Sequence, residues 1–187
     1  MSSEEIQQSP GSIKFQRRQL LCAAAAAPLL ALPQIGLARS GGRELSFSHA
    51  HTGETLRAVY WENGAYLPDA LNEINHLMRD FRSGEVFPID PHLLDLVHKI
   101  QARAGNANTF TVFSAFRSPA TNKKLRESSS GVAKKSFHMQ GKALDIQLSG
   151  VSADKLHKIA LSLEKGGVGL YRSSGFVHVD VGPVRRW

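Results

Sequence analysis

Two short runs, "ALDIQL" (Ala143–Leu148) and "FVHVDV" (Phe176–Val181), alternate with a period of two. That is the spacing of a β-strand with one face in a core. Leu144, Ile146 and Leu148 share one face of the first run, and Ala143, Asp145 and Gln147 the other. In the second, Val177, Val179 and Val181 oppose Phe176, His178 and Asp180. Both strands must lay their apolar faces on another layer, and both then turn ionisable groups outward.

The neighbouring segments supply that layer. "RELSFSHA" and "TLRAVYW" flank "HTGE" and read as a β-hairpin over Glu44–Trp61. "LPDALNEINHLMRDFRSG" has apolar residues at Leu71, Ile74, Leu77, Met78 and Phe81, with Gly84 beyond, and reads as an amphipathic helix. A second helix starts at Asp90-Pro91 and stops at Gly105. "TFTVFSAF" is a strand, Ser118-Pro119 opens a short helix, and Ser152 caps another that ends before Gly166-Gly167. "VGLY" and "FVHVDV" close a hairpin around "RSSG". The order β-β-α-α-β-α-β-α-β-β predicts one α+β domain, its small antiparallel sheet carrying the site and its helices packed on the other face.

The first forty residues differ. Arg17-Arg18 precedes an uncharged Ala- and Leu-rich run closed by Gly36-Leu37-Ala38, a pattern that predicts a twin-arginine export signal over residues 1–38 and a mature domain over 39–187. Pro28 and Pro33 interrupt the run and no positive cluster follows, so no membrane anchor is expected after processing. Cys22, the only cysteine, lies in that signal, which leaves the mature chain no disulfide and no thiol nucleophile. Loss of Lys14, Arg17, Arg18, Glu4 and Glu5 takes one unit from the formal net charge of +7. The basic balance suits an acidic polymer, and no nucleic-acid motif accompanies it.

His138 stands seven residues before Asp145, so on a continuous strand it would face away; a turn at Gly141 can bring it back. His138, Asp145 and His178 then make a two-histidine, one-carboxylate set that suits Zn²⁺ and leaves a fourth position for water. Such an ion lowers the pKa of bound water to about 7 and polarises a carbonyl, the two needs of amide hydrolysis. Taken by spacing alone, a His and Asp pair on a sheet face also reads as an ordinary hydrogen bond.

"SFHMQGKALD" matches S-x-H-x-x-G-x-A-x-D, the pattern of the zinc D-Ala-D-Ala peptidases, relatives of VanX in the lysostaphin/hedgehog superfamily. The chain more fully resembles the MepK-type murein endopeptidases, through "HTGE", "NHLMRDFR", "SAFRSPATN", "GVAKKSFHMQGKALD" and "GGVGLYRSSGFVHVDVGPVRRW". The resemblance implies a periplasmic zinc hydrolase of peptidoglycan cross-links. These join D-Ala to meso-diaminopimelate or two meso-diaminopimelates. It implies His138, Asp145 and His178 as ligands of one Zn²⁺.

VanX-like members carry an acidic general base three positions before the last ligand, where this chain has Gly175. Asp180 is the expected replacement; exchanging the roles of His178 and Asp180 is the alternative. Arg117 is expected to steady a substrate carboxylate or oxyanion. Ser136 is expected to support the turn, and His51, in the family-like "HTGE", to reach substrate. The rival functions are a D-Ala-D-Ala carboxypeptidase and an inactive, metal-bound wall-binding module.

Overall fold

A computed structural model describes residues 41–105, 108–129 and 131–187. The expected leader, residues 1–38, lies outside them. Strand β1 (Arg43–His49) and strand β2 (Thr55–Glu62) form the expected hairpin, with Phe47 opposite Leu56. Asn63 and Gly64, both at positive φ, then fold the chain straight back into β3 (Ala65–Tyr66). An Asn-Gly pair is the commonest signal for such a two-residue turn.

Helix α1 (Pro68–Leu77) and helix α2 (Pro91–Ala104) follow, then β4 (Phe110–Ser114) and α3 (Pro119–Ser128). A single 3₁₀ turn over Phe137–Gln140 leads into β5 (Ala143–Leu148) and α4 (Ala153–Leu161). Strands β6 (Gly167–Tyr171), β7 (Phe176–Asp180) and β8 (Arg185–Arg186) complete the elements among the described residues. The caps are those the sequence suggests. Asp90, Ser118 and Ser152 accept N–H groups of the first turns of α2, α3 and α4, and Gly105 ends α2 in the left-handed conformation.

The α+β class holds, but the sheet is neither small nor purely antiparallel. It has eight strands in the order β3-β2-β1-β4-β5-β7-β6-β8, with β1/β4 and β6/β8 parallel. The first parallel pair needs a long crossover, and α1 and α2 supply it. The edge strands β3 and β8 are too short to show any period in sequence. Helix α1 packs on β2, α2 on β1, and α4 on β5, β6 and β7. Leu45, Phe47, Leu144, Ile146, Leu148, Val177 and Val179 enter the core from the sheet, meeting Ile74, Leu93, Val97, Ile100 and Leu156 from the helices.

Helix α1 stops at Leu77, short of the Gly84 boundary that its pattern suggests. Tertiary partners take over the backbone there. Met78 C=O accepts the Phe116 N–H, and the buried Asp80 carboxylate accepts N–H groups of Ser118 and Arg82. This stitches the loop bearing Arg117 to the body of the domain. Burial alone would raise the Asp80 pKa, but hydrogen bonds from Thr121 and Ser118 hydroxyls and from those N–H groups outweigh it and bring it to about 2. A folded-state pKa below the unfolded one gives stability that is present above the unfolded value and lost as pH falls through the folded one. The urea midpoint is therefore expected to drop between pH 4 and pH 2, and Asp80→Asn to make that drop shallower. An equally steep drop in the variant would assign the loss to other carboxylates.

Candidate metal centre

Strands β5 and β7 are antiparallel neighbours, and their register sets Asp145 directly opposite His178. Both side chains stand on the face away from α4, and directly opposed residues on one face are near enough to touch. His138 arrives from the 3₁₀ turn. Ser136 Oγ accepts the His138 N–H and so caps that turn, and Gly141 closes it at φ 62°. A Cβ at Gly141 would strike the Pro88 carbonyl, so glycine is required there twice over, for conformation and for space.

The three side chains converge. His178 Nδ1 lies 2.8 Å from Asp145 Oδ1, and His138 Nε2 lies 3.3 Å from His178 Nδ1 and 3.4 Å from Asp145 Oδ1. Their second hydrogen bonds fix the tautomers. His138 Nδ1 donates to the Ala115 carbonyl at 2.7 Å, and His178 Nε2 donates to Asp180 Oδ2 at 2.9 Å, both partners being acceptors only. The lone pairs of His138 Nε2 and His178 Nδ1 thus face an Asp145 oxygen. Three acceptors so close need a positive charge among them, supplied by a proton on His178 or by a cation. These atoms form the one such three-residue His/Cys/Asp/Glu group among the described residues.

The electrostatics agree with that demand. Burial lowers the His138 pKa and keeps the imidazole neutral. Burial opposes ionisation of Asp145 too, but the adjoining histidines outweigh it and hold the carboxyl well below the usual carboxylate range. His178 is disfavoured as a cation by burial and favoured more by hydrogen bonds to Asp145 and Asp180, so its pKa is raised. Two imidazole nitrogens and one carboxylate oxygen, oriented by outer hydrogen bonds, fit a tetrahedral Zn²⁺ with one open position.

The site opens into a cleft of about 710 Å³ whose walls include Arg117, Lys135, Tyr171, Phe176, Arg185 and Trp187. Arg117 Nε is buried with no hydrogen-bond partner, and burial lowers the guanidinium pKa. The Tyr171 hydroxyl accepts from Trp187 Nε1 at 3.1 Å, which leaves its own proton to give. His51 is not among the residues lining this cleft; its exposed ring stacks on Phe81 at 4.2 Å.

Asp180 departs from the expected geometry. It is fully buried and absent from the cleft wall. Oδ1 accepts from Gly167 N–H, Gly182 N–H and Arg185 Nη1, while Oδ2 accepts from His178 Nε2 and Arg185 Nη2. Those bonds outweigh burial and hold its carboxyl far below the usual range. A base must reach the proton that it removes, and this carboxylate is spent on its neighbours. The alternation correctly sets His178 and Asp180 on one face, but residues two apart can bond each other rather than share a third partner. Asp180 also stands outside the converging group, against its exchange with His178 as a ligand.

The model of the family described as peptidoglycan L,D-endopeptidase MepK matches residues 38–187. The chain belongs to this family. It is 38% identical over 175 residues to the MepK peptidoglycan L,D-endopeptidase of Escherichia coli K12, covering 91% of this chain and 96% of that one. It is 41% identical over 146 residues to the probable MepK peptidoglycan L,D-endopeptidase of Haemophilus influenzae Rd, covering 78% of each. Among solved structures, the Serratia marcescens L-Ala D-Glu endopeptidase ChiX aligns with 60% of this chain and 87% of that one, at 16% identity and a TM-score of 0.39. The matched segment contains every element named above and His138, Asp145 and His178.

Sequence reasoning missed several supports. Ala115 contributes only a carbonyl, which no motif marks. Asp80 touches the site only through the loop that it holds. The terminal Arg185-Arg186-Trp187 reads in sequence as a groove wall or as packing, and Arg185 and Trp187 do line the cleft, but the bond from Arg185 to Asp180 has no sequence signal. Nothing in sequence says what Gly167, Gly169 and Gly182 make room for; their three-dimensional neighbours do.

Proposed function

We propose that this protein is a zinc-dependent peptidoglycan endopeptidase that hydrolyses stem-peptide cross-links outside the cytoplasm. The observation that carries the proposal is the convergence of three acceptor atoms at the floor of a cleft, in a chain of a family named for peptidoglycan hydrolysis. The relatives' printed activity narrows the bond. A link between two meso-diaminopimelates joins an acyl group at an L centre to an amine at a D centre, whereas D-Ala to meso-diaminopimelate joins two D centres. An L,D activity favours the first.

His138 Nε2, Asp145 Oδ1 and His178 Nδ1 would hold the ion. Zinc in that position would acidify a water in the open position and polarise the scissile carbonyl. Asp180 holds the His178 imidazole in one tautomer and one orientation. Arg117 and the Tyr171 hydroxyl face the cleft as donors to the oxygen on which negative charge grows. Lys135 and Arg117 leave the walls cationic, which suits the free carboxylates of stem peptides.

Export through the twin-arginine leader at Arg17-Arg18 belongs to the same proposal, and the family match beginning at residue 38 supports a leader that ends there. No helix among the described residues is long and apolar enough to cross a membrane.

Purified cross-linked sacculi, incubated with the protein with and without a chelator, test the activity. Dimers joined through two diaminopimelates are expected to become monomers, and the chelator to stop this. Release of free D-Ala from intact dimers would support a carboxypeptidase instead, and no release at all the inactive module. Lysines at positions 17 and 18 should leave the precursor in the cytoplasm; normal export would count against the leader.

A further inference from the structure

The segment Gly182–Trp187 crosses the flank of the site, and three glycines accommodate it, two on the neighbouring strand β6 and Gly182 at its own start. A Cβ at Gly167 would lie 2.5 Å from Asp180 Oδ2 and 2.6 Å from Arg185 Nη1. One at Gly169 would lie 2.5 Å from the Trp187 indole, and one at Gly182 would lie 2.5 Å from the Phe137 ring. Real Cβ atoms do not come so close, so a side chain at any of the three positions would push Asp180, Arg185, Trp187 or Phe137 from its present seat. Main-chain bonds hold it as well: Trp187 N–H donates to Val168 C=O and Leu170 N–H to Trp187 C=O.

Within the segment Arg185 makes the decisive contact. Its Nη1 and Nη2 grip the two oxygens of the fully buried Asp180 at 3.0 and 2.5 Å, a two-point match of guanidinium to carboxylate. The guanidinium is framed by the Phe137 and Trp187 rings, 5.1 and 5.2 Å from their centroids. Asp180 in turn holds His178 Nε2, and the Trp187 ring lies 5.2 Å from the His178 ring. The chain of contacts runs from Arg185 through Asp180 to the imidazole whose other nitrogen faces the metal position.

We propose that Gly182–Trp187 is a working part of the metal centre, with Arg185 as a positioning residue that fixes the Asp180 carboxylate and hence the His178 ligand. This rests on the zinc assignment made above. Outer partners of metal ligands of this kind affect metal affinity by about 10–100-fold when removed. Arg186, next in the chain, makes no such contact and is exposed, so it serves as a control of equal charge.

Competition titration with Zn²⁺, and the visible spectrum of the Co²⁺-loaded protein, test the proposal for the wild type, Arg185→Met, Arg185→Lys, Arg186→Met and the double variant Asp180→Asn/Arg185→Met. Arg185→Met is expected to weaken Zn²⁺ binding about tenfold or more and to alter the Co²⁺ spectrum. Arg185→Lys should restore part of the affinity, and Arg186→Met should match the wild type. The double variant leaves no uncompensated buried charge, so it reports on the site even if Arg185→Met does not fold, and its affinity is expected to stay low. A folded Arg185→Met, or failing that the double variant, with wild-type affinity and spectrum would overturn the role of Arg185. Failure of the wild type itself to bind either ion would instead overturn the zinc assignment beneath it.

Discussion

His178→Ala is expected to lose zinc and peptidoglycan hydrolysis together, because two protein ligands would not retain the ion that His138, Asp145 and His178 are proposed to hold. The informative partner is Asp180→Asn. If Asp180 orients His178, its loss should weaken zinc about 10–100-fold, and added zinc should restore much of the activity. A base would behave differently. Its removal would leave zinc tightly bound while kcat falls about 10²–10⁴-fold, and no amount of metal would help. Zinc content and sacculus digestion, each measured across a zinc titration, separate the two. Tight zinc with unrescued loss of kcat in Asp180→Asn would restore Asp180 as the base and refute the role argued from its hydrogen bonds.

Arg117→Met should cost about 10²–10³-fold in kcat while zinc remains bound, the usual loss on removing a preorganised donor to developing negative charge. The expectation rests on a guanidinium that lines the cleft beside His138, Asp145 and His178 and has its Nε buried without a partner. Its backbone is fixed independently, since the Arg117 N–H donates to the His138 carbonyl. The substitution should therefore leave the loop in place. Arg117→Lys should recover little, because an ammonium cannot reproduce a planar, two-point donor. A variant with unchanged kcat and a raised KM would reassign Arg117 to ground-state binding of a substrate carboxylate.

The faces of β5 and β7 were legible because period-two alternation fixes side-chain direction wherever one face is buried. That regularity placed Asp145 and His178 together before any coordinates, and Gly141 marked the turn that returns His138. Helix caps were legible for a similarly local reason, since Ser118, Asp90 and Ser152 act within their own first turns. What escaped was non-local. The end of α1 is decided by Phe116 and Ser118, some forty residues on. The role of Asp180 depends on Arg185 and on two backbone N–H groups, and no spacing rule predicts where those converge. Gly175, where relatives of the wider superfamily were expected to carry an acid, sits at φ 73° with the Gln147 amide 2.8 Å from a would-be Cβ. An acidic side chain there would have to adopt a left-handed backbone and displace the Gln147 amide.

The two ends of the sheet are strands of only two residues, β3 and β8. Short edges discourage another chain from adding a strand. At the β8 end the deterrent is stronger than length alone, for a newcomer pairing with β6 would have to displace the hydrogen bonds that Arg185 and Trp187 make to Gly166, Val168 and Leu170. Peeling that edge would withdraw Arg185 from Asp180 at the same stroke. Pairing of another chain with β6 and an intact Arg185–Asp180 contact are therefore mutually exclusive, so an aggregate that displaced β8 would lose the support of His178 from its first contact.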